Sequence, residues 1–377
     1  MRIVQLANFY TPTSGGLRTA VDTIGRGYLA AGHDRVLIVP GRRWIETSDD
    51  DGLTITLPGV PVSGGYRMVS SPAAVRRALD RLRPDSVEVS DKATMVAAGD
   101  WARRRRVGAV LFSHERLDTW LAARLPWLWR RGSPLLAPAV RRWNASLAVR
   151  FDAVAVTSAF ALAEFAEVGA PAVHRVPLGV DLGTFRPRAP LPDNGPTRLV
   201  YAGRLSPEKN PGAVIEAVRL LVRDGLDVRL DVYGTGGALG ALRRAAVGLP
   251  VVFHGYVSNR SELAERLAAA DVAFAPSAAE TFGLSVLEAL ACGTPVVAAD
   301  TGGAGELLAP GAGVAVPATP VGISAGVAEV LTWPVPARRA AARGQAERFP
   351  WSATVDSMLN LHATVADGQV ARTGRTR

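Results

Sequence analysis

Ser277–Pro295 reads SAAETFGLSVLEALACGTP, and the organisation of the whole chain can be worked out from it. Glu280 and Glu288 stand eight positions apart. Between them lie a Thr-Phe-Gly turn and the start of an apolar helix expected over Leu284 to Ala291, so one carboxylate belongs to a loop and the other to a helix. At about 1.5 Å rise per helical residue, that spacing separates them by roughly 10 to 12 Å. The acid and base of a glycosidase sit about 5 to 9.5 Å apart, so these two carboxylates suit the two ends of one extended ligand instead. Gly283 lets the backbone approach that ligand closely. The helix start behind it offers unpaired N–H groups and a positive dipole end to an anion. An extended, polyhydroxylated anion bound here places its charge near the helix start and a diol near Glu288.

The chain has 377 residues, more than one core usually holds, which predicts two domains of about 180 residues each. Its single cysteine, Cys292, excludes an internal disulfide and fits a reducing compartment. No run of 18 apolar residues occurs, and Met1-Arg2 leads directly into the strand-like RIVQLA, which predicts a cytosolic protein that does not span a membrane. The formal charge of +9 implies anionic partners, whether nucleotides, lipids or nucleic acid. Of 43 basic residues only Lys92 and Lys209 are lysine. Arginine is the default cation of this chain, so each lysine calls for a chemical reason.

In the first half, Arg2 to Ala7 predicts a buried strand and NFYTPTSGG (Asn8–Gly16) a loop feeding an amphipathic helix from Leu17 to Ala31. Gly15 and Gly16 allow that loop to lie against a ligand, or serve only as a tight turn. Strands at Arg35 to Val39, Leu53 to Leu57, Ser86 to Val89 and Ala109 to Phe112 alternate with helices such as Pro72 to Arg83 and Ala93 to Arg106. The alternation argues for a parallel sheet with helices on both faces and ligands at the carboxyl ends of the strands. His114 sits at one such end, where a histidine is as well suited to function as to structure. Asp49, Asp50 and Asp51, followed by Gly52, read as an exposed turn rather than a metal cluster. From Trp120 to Arg150 the chain carries four tryptophans among many arginines and no acid. Two readings stand: a helical surface for an anionic membrane interface, or a solvated arginine face over buried tryptophans.

Ala153 to Val156 and Val173 to Pro177 read as strands around a helix capped by Ser158. A Pro- and Gly-rich stretch follows. The expected division is a first domain over 1–177, a linker over 178–196, a second domain over 197–350, a last helix over 351–367 and a disordered polar tail over 368–377. In the second domain, strand Arg198 to Ala202 runs into GRLSPEKNPG, with Asn210 as N-cap and Pro211 at the first helical position. Arg204 and Lys209 flank this loop. Two cations beside a helix start can hold a diphosphate and stabilise charge as a leaving group departs. An ammonium acts there as a compact point charge. GTGG (Gly234–Gly237) is a partial dinucleotide fingerprint lacking its third glycine and its acidic partner. Val251 to His254 precedes Gly255-Tyr256-Val257, a place for a nucleobase to lie.

VPLGVDLGTFRP, VYAGRLSPEKNP, FHGYV and ETFGLSVLEALACGTPVVAAD, in this order and at these separations, resemble the family 4 retaining glycosyltransferases with the two-domain GT-B fold. The likeness covers most of the second half and reaches the first through Gly15-Gly16 and His114. It implies an α/β chain of two Rossmann-like parallel-sheet domains facing a central cleft. It further implies that Arg204 and Lys209 hold a donor diphosphate, that Glu288 binds the ribose hydroxyls, and that Glu280 with the Phe282-Gly283-Leu284 backbone contacts the transferred sugar. Tyr256 and Val257 complete the donor site. Gly16 then faces the phosphates, His114 bonds a sugar hydroxyl, and Asp181 supports the cleft from the linker. The same resemblance implies retention without a protein nucleophile, a donor phosphate oxygen helping to deprotonate the acceptor, and cations in place of a metal.

NFYTPTSGGLRTAVD and SHERLDTWLAARLP are most similar to actinobacterial GDP-mannose-dependent α-mannosyltransferases acting on glycolipids. That implies a nucleotide-sugar donor, a glycan or lipid acceptor, no tightly bound cofactor, and peripheral contact with an anionic membrane through Trp120 to Arg150. Three alternatives follow from the same residues or the charge. They are a UDP-sugar enzyme with a soluble acceptor, a nucleotide-sugar 2-epimerase on the same fold, and a nucleic-acid binder, which leaves both carboxylates and the diphosphate loop unexplained.

Overall fold

A computed structural model describes residues 1–11, 15–62, 65–124, 136–170, 172–188 and 195–374. The chain divides into two compact units, one of Met1–Asp118, Trp127–Pro177 and Trp351–Arg377, the other of Thr119–Pro126 and Leu178–Pro350.

In chain order up to Pro177 the elements are β1 (Arg2–Leu6), α1 (Gly16–Ala30), β2 (Asp34–Gly41), β3 (Ile45–Asp49), β4 (Gly52–Pro61), β5 (Arg67–Val69), α2 (Pro72–Leu82), β6 (Ser86–Val89), α3 (Ala97–Arg105), β7 (Gly108–Ser113), α4 (Leu117–Arg124), α5 (Leu136–Arg150), β8 (Ala153–Val156), α6 (Ala159–Ala166) and β9 (Val173–Arg175). The sheet runs β3-β4-β2-β1-β6-β7-β8-β9. It is parallel from β4 to β9, as the strand and helix alternation predicts. Two antiparallel additions were not expected: β3 folds back on β4 and β5 pairs with the far end of β4. The aspartates make the first of these turns, with the Asp51 N–H donating to Asp49 Oδ1 at 2.9 Å. Strands β1, β6, β7 and β8 are buried on both faces, and Leu6, Val87, Leu111 and Phe165 belong to one apolar core. Helix α3 begins at Ala97 rather than Ala93 because Asp91 Oδ1 accepts the Ala93 N–H at 2.7 Å and bends the chain first.

The second unit contains β10 (Thr197–Ala202), α7 (Pro211–Arg223), β11 (Val228–Tyr233), α8 (Leu239–Ala245), β12 (Val251–Gly255), α9 (Arg260–Ala268), β13 (Val272–Ala275), α10 (Leu284–Ala291), β14 (Val296–Ala299), β15 (Gly313–Val316), α11 (Pro320–Leu331) and α12 (Val335–Ala346). Its sheet, β12-β11-β10-β13-β14-β15, is parallel throughout. Each sheet reverses its winding once, between β1 and β6 in the first and between β10 and β13 in the second. Such switch points open a crevice beyond the carboxyl ends of the strands. GTGG serves packing here: a Cβ at Gly234 would lie 1.9 Å from the carbonyl oxygen of Gly203, so only glycine admits the loop after β10.

The stretch expected as a linker, 178–196, begins where the two units divide and is anchored where it is described, up to residue 188. Leu178, Val180 and Phe185 are buried, Val180 bridges to Pro350, and Arg343 donates to the Phe185 carbonyl at 2.9 Å. The last helix, α13 (Trp351–Gly374), runs past 367 to Gly374, into the stretch expected to be disordered, and corrects that expectation. Gln369 is buried there, and its amide donates to Asp152 Oδ1 at 2.8 Å. This helix lies against α1 and β7, where Gly27 and Gly108 leave room for Val355 and Val365. No helix among the described residues is long and apolar enough to cross a membrane.

Candidate active site

The second unit gathers most of the expected residues at its switch point. The loop after β10 carries Arg204 and Lys209, and the loop after β13 carries Glu280. Lys209 Nζ donates to Glu280 Oε2 at 2.5 Å, joining the two loops. Ser277 Oγ adds a bond to the Glu208 carbonyl at 2.7 Å. Asn210 departs from its expected capping role. Its φ is +52°, its side chain makes no cap hydrogen bond, and its amide donates instead to the Ala318 carbonyl at 3.0 Å and the Pro276 carbonyl at 3.4 Å. Asparagine tolerates the left-handed region, and here it ties the cationic loop to two neighbouring loops. Tyr201 Oη donates to the Arg204 carbonyl at 2.9 Å and fixes the backbone from which the exposed Arg204 projects.

Gly283, with φ of +105°, starts α10 without a side-chain cap, which leaves first-turn N–H groups for a ligand. The Phe282 ring turns inward, edge-on to Phe349 at 6.5 Å, so that residue presents only its backbone. Leu284 is half-buried beside it. One turn further along α10, Glu288 is buried, and its Oε1 accepts from Arg260 Nη2 at 2.8 Å. Burial pushes the Glu288 carboxyl above its ordinary value, with Arg260 opposing the rise. Tyr256 follows β12 with 57% of its surface exposed, a free aromatic face beside half-buried Val257. Cys292 is inert, buried at the end of α10 with its thiol pushed up to about 12 by burial.

In the first unit, exposed Gly16 opens α1 after β1, while residues 12–14 of its loop lie outside the described residues. His114 stands half-buried at the end of β7, its ring tilted against Phe112 at 4.2 Å. Burial lowers its pKa to about 4, so the imidazole is neutral at physiological pH. Sequence reasoning missed the groups that fill the crevice between β1 and β6. Asn8 Nδ2 donates to Asp91 Oδ2 at 3.2 Å and to Thr94 Oγ1 at 3.0 Å, and Asn8 Oδ1 accepts the Val69 N–H at 2.9 Å. Burial raises the Asp91 carboxyl to about 6. No motif marks these two residues, and only their places after adjacent strands could have done so.

Lys92 also receives its reason. Its buried ammonium pairs with Glu164 and lies 4.8 Å from the centre of the Phe165 ring, and Glu164 Oε1 accepts the Leu117 N–H at the start of α4. A planar guanidinium has no comparable fit in so closed a space. Of the Trp120–Arg150 segment, Trp143 settles as a core-facing residue. Its indole N–H donates to the Lys92 carbonyl at 3.0 Å and Arg150 covers its ring. Trp127 and Trp129, and the side chain of Trp120, lie outside the described residues. Among the described residues, no group of three or more His, Cys, Asp or Glu side chains could hold a metal ion.

Two doubly wound sheets, a cationic loop and an uncapped glycine-led helix at one switch point, and a buried carboxylate one turn along that helix, define a glycosyltransferase of the GT-B class. Residues 15–181 match the family described as glycosyl transferase 4-like domain, and residues 184–348 that of glycosyl transferases group 1. The chain is 44% identical over 369 residues, 95% of each chain, to the GDP-mannose-dependent alpha-(1-6)-phosphatidylinositol dimannoside mannosyltransferase of Mycobacterium tuberculosis. It is 33% identical over 229 residues, 54% of each chain, to a D-inositol 3-phosphate glycosyltransferase of Jonesia denitrificans. In fold it is similar to sucrose-phosphate synthase from Thermosynechococcus elongatus, with a TM-score of 0.79, 20% identity, and 97% and 99% of the two chains covered. Anabaena HepE in complex with UDP and glucose gives 0.73, 19%, 97% and 99%. The chain belongs to the family 4 glycosyltransferases, enzymes that move a hexosyl group from a nucleotide sugar.

Proposed function

We propose that the enzyme transfers an α-mannosyl group from GDP-mannose to a mannosylated phosphoinositol lipid. The observation that carries this reading is the 44% identity to the M. tuberculosis enzyme, which runs through 95% of both chains and so includes both units. In this reading Arg204 and Lys209 take the diphosphate, and Glu288 takes the ribose diol. Tyr256 and Val257 flank the base, and Glu280 with the backbone of Phe282, Gly283 and Leu284 holds the mannose. Gly16 serves the phosphates and His114 accepts or donates one hydrogen bond to a sugar hydroxyl, which its neutral ring allows. The glycosidic bond to the diphosphate breaks as the acceptor hydroxyl attacks from the same face, and a phosphate oxygen of the donor takes the hydroxyl proton. Lys209 and Arg204 stabilise the charge that grows on the leaving diphosphate, so that no metal is required for that task. A lipid acceptor and a water-soluble donor put the reaction at the surface of a membrane on its cytoplasmic side, with the enzyme bound peripherally.

Calorimetric titration with GDP, UDP and ADP, with and without chelator, tests the donor. Chelator-insensitive binding of GDP alone is expected, whereas preference for UDP overturns the mannose assignment. Incubation with GDP-mannose and phosphatidylinositol dimannoside tests the acceptor, since the lipid should gain one hexose. The roles separate kinetically. Glu288→Ala should raise the Kd for GDP, while Lys209→Ala should chiefly lower kcat, because charge on the diphosphate grows in the transition state. Equal effects on both constants in both variants would contradict this division.

A further inference from the structure

Arg260 belongs to none of the motifs, yet the second unit is built to hold it still. Asn259 caps α9 by accepting the N–H groups of Ser261 at 2.9 Å and Glu262 at 3.3 Å, which puts Arg260 at the first helical position. Its guanidinium lies 4.8 Å from the centre of the fully buried Phe185 ring. Phe185 is in turn delivered by the turn at Asp181, whose Oδ1 accepts the N–H groups of Gly183 and Thr184, both at 3.0 Å. Arg343 locks that turn to the helix bearing Glu288 by donating to the Phe185 and Ala291 carbonyls, both at 2.9 Å. A guanidinium stacked on one side and hydrogen-bonded to Glu288 Oε1 on the other fixes the plane of the carboxylate, and Oε2 with the second lone pair of Oε1 can still accept two hydroxyls.

We propose that Arg260 positions Glu288 for the two ribose hydroxyls and thereby sets the preference of the site for ribonucleotides over 2′-deoxyribonucleotides. A vicinal diol needs a carboxylate held in one orientation, and a freely rotating one forfeits the second hydrogen bond. The electrostatics agree: burial alone drives Glu288 towards its neutral acid, and Arg260 is the charge that opposes this. Without Arg260 the carboxyl protonates at a higher pH, so nucleotide binding should weaken on mild acidification where the unaltered enzyme still binds. The proposal rests on Glu288 being the ribose contact, and the experiment separates the two ideas.

Calorimetric Kd values for GDP and 2′-deoxy-GDP are measured between pH 5.5 and 8 on the unaltered enzyme and on Arg260→Met, Arg260→Lys and Glu288→Gln. Methionine keeps a flexible apolar stem over Phe185 and lysine keeps the charge. The unaltered enzyme should prefer GDP by about tenfold or more, the worth of a hydrogen bond to a charged group. Arg260→Met should lose about tenfold in GDP affinity, leave 2′-deoxy-GDP nearly unchanged and weaken further towards pH 5.5. Arg260→Lys should regain part of the lost affinity and flatten the pH profile. If Arg260→Met keeps the original preference and pH profile while Glu288→Gln loses the preference, the role of Arg260 is overturned and the ribose contact stands. If Glu288→Gln also keeps the preference, both fall.

Discussion

At the scale of single residues, the two loops of the proposed donor site are joined by an ion pair. The Lys209 ammonium that should meet a diphosphate is engaged by Glu280, so a nucleoside diphosphate must displace or share that partner. Glu280→Gln should therefore bind GDP about two- to fivefold more tightly, since partly exposed ion pairs are worth at most about 1 kcal/mol. Transfer from the nucleotide sugar should slow in the same variant because the sugar contact is damaged. Calorimetry and initial rates on one preparation check both halves. His114 makes a different prediction. Its folded pKa of about 4 lies below the unfolded value of about 6.5. The unfolded chain takes up this proton first as pH falls, so the contribution of a neutral His114 to stability is complete above pH 6.5 and is lost on descent towards pH 4. His114→Gln should flatten that part of the stability profile, as urea unfolding across the range will show. It should also slow transfer by about tenfold, the loss of one neutral hydrogen bond.

At the scale of elements, helices and loops are fitted together by side chains whose task differs from what their position suggests. Asn210 stands where a helix cap belongs, but its left-handed backbone and its bond to the Ala318 carbonyl make it a tie between loops. Asn210→Gly and Asn210→Ala both lose the tie, worth about 1 kcal/mol. Only alanine adds left-handed strain of about 1–2 kcal/mol. Alanine should be the more destabilising of the two in urea unfolding, the reverse of the order a right-handed position gives. The Ser277–Pro295 stretch was readable at this scale: its helix runs from Leu284 to Ala291 as expected, since the apolar run, the glycine before it and the Cys-Gly-Thr-Pro after it all mark the same boundaries. The start of α3 was not readable, because the Asp91 bond that delays it depends on burial after β6.

At the scale of the whole molecule, the last helix returns to the first unit and is held there by a buried polar network. Glu88 accepts from Tyr28 at 2.7 Å and from Gln5 at 3.1 Å, and bonds His362 of α13 at 3.3 Å, while Ser86 bonds the other ring nitrogen of His362 at 2.7 Å. Burial would push Glu88 up, but His362, Tyr28 and Gln5 together outweigh it and hold the carboxyl below its ordinary value. Its folded pKa is therefore depressed. The stability this carboxylate contributes is present above about pH 4.3 and is lost as pH falls through the folded value. His362→Leu should cost about 3 kcal/mol or more by leaving a buried carboxylate short of its partner. Adding Glu88→Gln to that variant should restore part of the loss. Unfolding monitored for each unit should show the first unit melting early in the single variant and the second unchanged.

The sequence by itself determined what is local and periodic. It set the strand and helix alternation, the carboxylates on loop and helix, the two cations before Pro211, and the family to which these motifs belong. Those features depend on backbone propensity and spacing, which a chain carries before it folds. Only the tertiary structure decided that Arg260 holds Glu288, that Lys209 rests on Glu280, that Asn8 meets Asp91, and that the terminal helix extends past residue 367. Arg260 and Glu288 are 28 positions apart, Lys209 and Glu280 are 71, and Asn8 and Asp91 are 83. Lys209 meets Glu280, and Asn8 meets Asp91, because each sheet places neighbouring strands out of sequence order at its switch point, whereas Arg260 reaches Glu288 because α9 packs against α10. The pairs hold because burial makes an unpartnered charge or amide costly.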